Sequence, residues 1–313
     1  MYRKILVPLD GSALAEVILP YARELARRLV LDVVLIHVAE KKESKSIQLH
    51  RVYVDNIADA IRRDIADAGN KKKASPREAG KSNISGEVVV GYPAEEILRY
   101  SDENDIDLIL MATHGRSGIR RWVMGSVADR VLRASRAPVL LVRAGIPQDI
   151  ARDEWPGTVL VPLDGSGLAE LVLPHVAALA GPQNARASDV VLLRVCEPLG
   201  MPAVAPPEVT VSWGDIASKH MAQSKSLAKK YLVRLEKQLN EAGVRASSEV
   251  LGGQPAETII DYANKKRYSL IVMATHGRSG LSRWAYGSVA EKVLLAVSSP
   301  LLLVRPASPG DPI

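Results

Sequence analysis

Two stretches of this chain carry the residue types that hold a phosphate group. Met111-Ala-Thr-His-Gly-Arg-Ser-Gly-Ile-Arg-Arg-Trp-Val-Met-Gly-Ser-Val-Ala128 follows the apolar run Asp107–Met111 and leads into the helical Asp129–Arg133. Gly115, Gly118 and Gly125 permit positive φ and let backbone N–H groups come close to an anion. Ser126 is expected to cap the following helix, whose first-turn N–H groups attract negative charge. Arg116, Arg120 and Arg121 add positive charge around the same loop. The stretch recurs at Met273–Ala290, with Gly277, Arg278, Gly280, Gly287 and Ser288 in the same places. A loop this unusual, written twice, asks for more than turn geometry.

The elements around it alternate. Lys4–Ser12 opens with a short apolar run, as a strand buried on both faces would, and Asp10-Gly-Ser12 ends it with turn residues. A helix is expected over about Ala13–Leu29, kinked or restarted at Pro20. Asp32–Val38 is a second strand. A helix near Val52–Ala68 and a flexible Lys/Ser/Gly-rich tail from Gly69 to Lys81 come next. Ile84–Val90 is a third strand, Ala94–Glu103 a helix, Asp107–Met111 a fourth strand and Pro138–Arg143 a fifth. Such alternation implies a parallel sheet covered on both faces. Ligands in these sheets sit beyond the carboxyl ends of the strands, where strand order reverses. That rule gathers Pro8-Leu-Asp10, Val38 and the loop after Met111 into one crevice.

The pattern then restarts. Thr158–Ser166 matches Lys4–Ser12, including Pro162 and Asp164, and Val190–Val195 matches Val33–Val38. Gly253–Glu257 matches Gly91–Glu95, and Pro300–Arg305 matches Pro138–Arg143. The offset is 154 residues at Asp10/Asp164, 157 at Val38/Val195 and 162 at Gly125/Gly287, so the key loop keeps its length while earlier connections drift. A period this long marks a duplicated domain rather than a solenoid. The expected division is 1–145, a linker at 146–157, 158–306 and a tail at 307–313.

These residues resemble the universal stress protein family in its tandem form. The resemblance covers nearly all of the chain except the linker and the stretches after each second strand. Its nucleotide signature is glycine, two residues, glycine, nine residues, glycine, then serine or threonine. Gly115 with Gly125-Ser126, and Gly277 with Gly287-Ser288, fit it, while Ala112 and Ala274 stand where the first glycine belongs. Alanine is tolerated there unless the position needs positive φ or touches the ligand. The resemblance implies an α/β fold of two Rossmann-like domains, of the adenine nucleotide alpha hydrolase type, each with a five-stranded parallel sheet flanked by helices. It implies ATP, with or without magnesium, as ligand. Asp10 and Asp164 would contact the ribose, and the backbone at Val38 and Val195 would read the adenine edge. Met111–Ala112 and Met273–Ala274 would line the ribose and base, and Gly115, Gly125, Ser126, Val127, Gly277, Gly287, Ser288 and Val289 would hold the phosphates. Pairing of the halves through Val139–Val142 and Leu301–Val304, and a homodimer of the chain, are also implied.

Plainer readings stand beside these. Asp-Gly is a common turn, Gly-Ser a common helix start, and Trp122 and Trp284 suit packing better than base stacking. His114 and His276 have no paired nucleophile in sequence, and His37, His50, His175 and His220 lack metal-ligand spacing. Cys196, the single cysteine, suits a core thiol or a redox sensor and excludes an intrachain disulfide, which fits a reducing cytoplasm. Neither a Walker A motif nor Gly-x-Gly-x-x-Gly occurs. Net charge of +6 and 4% aromatic residues without phenylalanine argue against nucleic acid as partner, and no apolar stretch is long enough to insert in a membrane. The function expected is a cytoplasmic, ATP-binding stress sensor or regulator acting on a protein partner. The alternatives are a scaffold that ignores ligand and an enzyme of at most slow ATP hydrolysis, since no general base or dedicated metal site is evident. Ala39–Lys81 and Cys196–Arg245 differ most between halves and are expected to carry partner specificity.

Overall fold

The computed structural model describes residues 2–40, 44–71, 82–113, 124–143, 155–181, 188–200, 213–266, 268–276 and 286–306. His114, Gly115, Arg116, Gly118, Arg120, Arg121, Trp122, Gly277, Arg278, Gly280 and Trp284 lie outside the described residues, as does most of the expected linker.

The first half holds strands β1 (Lys4–Pro8), β2 (Asp32–Ala39), β3 (Ile84–Val90), β4 (Leu108–Ala112) and β5 (Val139–Val142). Its helices are α1 (Ala13–Glu16), α2 (Leu19–Leu29), α3 (Ser44–Lys71), α4 (Pro93–Glu103) and α5 (Ser126–Ala134). The second half repeats them as β6 (Thr158–Pro162), β7 (Asp189–Cys196), β8 (Arg245–Gly252), β9 (Leu270–Ala274) and β10 (Leu301–Val304). Its helices are α6 (Gly167–Glu170), α7 (Leu173–Ala180), α8 (Trp213–Glu241), α9 (Pro255–Lys266) and α10 (Ser288–Ala296). Among the described residues, ten strands form one sheet in the order β3-β2-β1-β4-β5-β10-β9-β6-β7-β8. Every pairing is parallel except β5 with β10, which run antiparallel with Leu301 opposite Leu141 and Leu302 opposite Leu140. The two halves, each a five-stranded parallel sheet, are thus joined through their fifth strands.

Central strands are apolar throughout because both faces are covered. Ile5 and Val7 of β1 pack against one layer with Leu25 of α2 and Val54 of α3. Leu6, between them, faces the other layer with Ile97 of α4 and Val131 of α5. The expected Pro20 effect is a restart: α1 ends at Glu16, and α2 begins at Leu19 with Pro20 in its first turn, where a missing N–H costs nothing. Helix α3 runs longer than the expected 52–68. Its buried stripe is Val54, Ala58 and Ile61, whereas the added first turns carry polar contacts such as Ser46 Oγ to His50 Nε2 at 3.0 Å, which apolar periodicity cannot reveal. The first residues of the expected flexible tail, 69–71, are helical.

Side chains lock the halves reciprocally. Arg143 donates to the carbonyl of Leu295 at 2.6 Å near the end of α10, and Arg305 donates to that of Arg133 at 3.0 Å near the end of α5. Guanidinium groups at helix C-termini are favourable there. On the opposite face, the buried Tyr2 hydroxyl donates to His175 Nδ1 at 2.7 Å. Burial pushes the His175 imidazole down to about 4 from its ordinary 6.5, so it is neutral in the fold and free to accept this bond. Between those two values the unfolded chain binds a proton that the folded chain refuses. Stability is therefore complete above about pH 6.5 and falls as pH drops towards 4. The full window corresponds to roughly 3 kcal/mol, and partial exposure to solvent reduces the expected loss to about 2 kcal/mol. Urea unfolding at pH 7 and pH 4 measures it, and His175→Gln should flatten that part of the pH profile.

Candidate functional site

The strand order reverses between β1 and β4, and again between β6 and β9, and the site residues gather beyond those carboxyl ends. At the end of β1, Asp10 Oδ1 accepts from the Ser12 backbone N–H at 2.9 Å and from its hydroxyl at 2.6 Å. Ser12 Oγ in turn accepts from Ala15 N–H and caps α1. Asp164 and Ser166 repeat this arrangement at 2.9 and 2.6 Å, with Ser166 capping α6. Gly11 and Gly165 both take φ of 81°, the left-handed conformation that lets the chain turn directly after the aspartate. The turn role of the aspartates is therefore real, and it fixes each carboxylate at the mouth of the crevice.

Across the crevice, β4 and β9 end in Met111-Ala112 and Met273-Ala274, all buried. Ala112 and Ala274 lie in strands, and neither takes a positive φ, so alanine brings no backbone strain at the place of the signature's first glycine. The chain closes back on itself through Gly125 N–H to Thr113 O and Gly287 N–H to Thr275 O, both 2.8 Å. One expectation needs correction. Gly125 and Gly287 are the N-cap residues, and Ser126 and Ser288 are the first residues inside α5 and α10. Neither cap makes a side-chain hydrogen bond to the helix, so the first-turn N–H groups have no side-chain acceptor from the cap.

In the second half these pieces enclose a cavity of about 750 Å³. Of the residues expected there, Pro162, Asp164, Val195, Met273, Ala274, Gly287, Ser288 and Val289 line it. The corresponding Pro8, Asp10, Val38, Met111, Ala112, Gly125, Ser126 and Val127 hold the same places on the elements of the first half. His276 also lines the cavity, with Nδ1 3.0 Å from Thr275 Oγ1, and so does the buried Cys196.

Several lining residues escaped sequence reading: Arg194 on β7, and His220, Ser224, Ala228 and Tyr231 on α8. Arg194 donates from Nη1 to Leu163 O at 3.2 Å, which sets its guanidinium beneath the Gly165 turn. Burial, with the nearby Glu170 charge second, raises the Tyr231 hydroxyl well above its ordinary value. The signal for α8 was a shared spacing, Ser46, Leu49 and Tyr53 against Ser224, Leu227 and Tyr231, inside stretches that otherwise look unrelated. Part of Cys196–Arg245, a segment expected to serve partners, thus also walls the crevice.

A duplicated, doubly covered parallel sheet with a crevice at each switch point defines a tandem Rossmann-like protein of the nucleotide-hydrolase fold type. The universal stress protein family profile matches residues 1–143 and again 157–305, and the chain belongs to that family. Universal stress protein MJ0577 of Methanocaldococcus jannaschii is 29% identical over 157 residues, 46% of this chain and 96% of that protein. Universal stress protein Rv2005c of Mycobacterium tuberculosis is 25% identical over 248 residues, 79% of this chain and 77% of its own. The crystal structure of a universal stress protein from Archaeoglobus fulgidus superposes with a TM-score of 0.61 at 19% identity, covering 96% of this chain and 98% of that one, and so shares the fold.

Proposed function

We propose that the chain binds ATP in the second-half cavity and serves as a nucleotide-dependent sensor or regulator in a cytoplasmic stress response. The observation that carries this reading is the cavity itself. Its volume of about 750 Å³ lies in the range of cofactor pockets. It sets a carboxylate, Asp164, on one wall and the uncapped N-terminus of α10 on the other. A carboxylate accepts from sugar hydroxyls, and helix N–H groups donate to phosphate oxygens. The apolar surface of Val195, Met273 and Ile259 lies between them and suits a base. Among the described residues no group of three His, Cys, Asp or Glu side chains could hold a metal ion. Nucleotide binding regulates a protein partner only through different affinity for two conformations, and a homodimer would present four crevices to that partner. Turnover is not the proposed role, and any hydrolysis is slow. The alternative of a ligand-independent scaffold draws on Ala112 and Ala274, whose strand conformation carries no backbone strain.

Denaturing freshly purified protein and quantifying the released nucleotide tests the reading, and finding none, with no calorimetric response to ATP, overturns it. Asp164→Ala is expected to weaken ATP binding about tenfold or more, the worth of a hydrogen bond to a charged group. Asp164→Asn retains an acceptor for Ser166 and should lose less. Equal affinity in all three proteins, measured by calorimetry, would place the ribose elsewhere.

A further inference from the structure

The two crevices are built from matching elements, but several side chains of their walls differ. Helix α3 and helix α8 correspond in register by their contacts: Tyr53 donates to Glu16 at 2.9 Å, and Tyr231 lies beside the corresponding Glu170. Arg51 reaches the carbonyl of Gly86 at 2.7 Å, just as Lys229 reaches that of Ser248 at 3.3 Å. This register sets His50 opposite Ala228. The strand register likewise sets His37, beside Val38, opposite Arg194, beside Val195. Arg194, Ala228 and Tyr231 all line the open second-half cavity. Their counterparts His37, His50 and Tyr53 form a ring cluster instead. The two imidazoles stack at 4.1 Å with planes 20° apart, and Tyr53 meets His37 edge-on at 6.2 Å. Where α8 offers a methyl group, α3 lays an imidazole across the end of β2, and Ser46 Oγ holds that ring at 3.0 Å.

We propose that His50 closes the base end of the first-half crevice, so that each chain takes one nucleotide tightly, in its second half. This rests on the nucleotide reading given above. The binding-site residues at the phosphate end, Gly125, Ser126 and Val127, are equivalent in the two halves. The difference therefore acts on the base and not on the phosphates. A ligand entering the first half must displace a packed ring, which costs about tenfold or more in affinity. The duplication has left one working pocket and one restrained by its own helix.

The single thiol makes the two halves separable by experiment. Cys196 lines the second-half cavity, and the first half has Ala39 in its place. Protection of Cys196 from iodoacetamide by ATP reports the second half alone, while calorimetry with ATP counts all sites. The wild-type protein is expected to bind one ATP per chain, with a Kd equal to the midpoint of thiol protection. His50→Ala is expected to add a second ATP per chain without shifting that midpoint. The reciprocal Ala228→His should abolish protection of Cys196, and circular dichroism and urea midpoints establish that both variants fold. Two equal sites in the wild-type protein, or one site in His50→Ala, would overturn the proposal. Absence of any ATP binding or protection in both proteins would overturn the nucleotide reading, and this inference with it.

Discussion

Valine in place of Gly287 is expected to remove ATP binding from the second half, by about 100-fold or more, while the fold survives. Gly287 has φ of −58°, so a side chain is allowed by the backbone. A Cβ there would stand 3.3 Å from Thr275 O and 3.8 Å from His276 Cα, both on residues that line the cavity. One carbon can be accommodated by a shift of a few tenths of an ångström. The two further methyl groups of valine must spread towards the first turn of α10, where phosphate oxygens would meet N–H groups. Each hydrogen bond to a charged group is worth about 1.5–3 kcal/mol, so loss of two accounts for the 100-fold expected. The cost to stability is about 1 kcal/mol, because branched residues are poor N-caps. Calorimetry with ATP, beside a urea unfolding curve, separates the effects. Gly287→Ala should fall between wild type and valine. An unchanged Kd in the valine variant would mean that the phosphates do not approach α10.

The fold was legible in the sequence where both faces of an element are buried. Ile5, Leu6 and Val7 are all apolar because consecutive residues enter opposite layers, and the same holds for Leu108–Met111 and Leu270–Met273. The polar punctuation at Asp10-Gly-Ser12 was equally plain, since its turn and cap depend on local side chains. Less legible were features decided at a distance. A serine after a glycine reads as a cap, yet Gly125 takes the cap position and Ser126 the first helical one. The middle of α8 is hard to read, because one side of it faces the crevice rather than the core. Consequently Ala228 and Tyr231 looked like variable connection and turned out to line the second-half cavity, while His50 stacks on His37. Arg194 was hidden for a related reason: a charged residue inside an apolar strand signals little until the turn above it, at Leu163 and Gly165, is known.

Trp155 shows what composition conceals at the junction of the halves, and its removal should be strongly damaging. The segment before β6 is rich in glycine, proline and charge and reads as a linker, but Trp155 near its end is wholly buried. Its indole Nε1 donates to Ser269 O at 2.8 Å, just before β9. Its ring meets Tyr21 of α2 edge-to-face, with centroids 5.3 Å apart and planes at 89°. One side chain thus ties the entry of the second half both to its own sheet and to a helix of the first. Trp155→Ala is expected to cost about 4 kcal/mol, from lost burial and the cavity left behind. Trp155→Phe keeps most of the apolar contact but loses the indole hydrogen bond, and should cost about 1–2 kcal/mol. Urea midpoints at neutral pH measure both. A loss below about 1 kcal/mol for alanine would mean that the strand pairing of β5 with β10 holds the halves together without this anchor. A large loss for alanine, with a small one for phenylalanine, would assign the joint to ring packing across the seam, which explains why a lone aromatic belongs in a segment otherwise built like a connector.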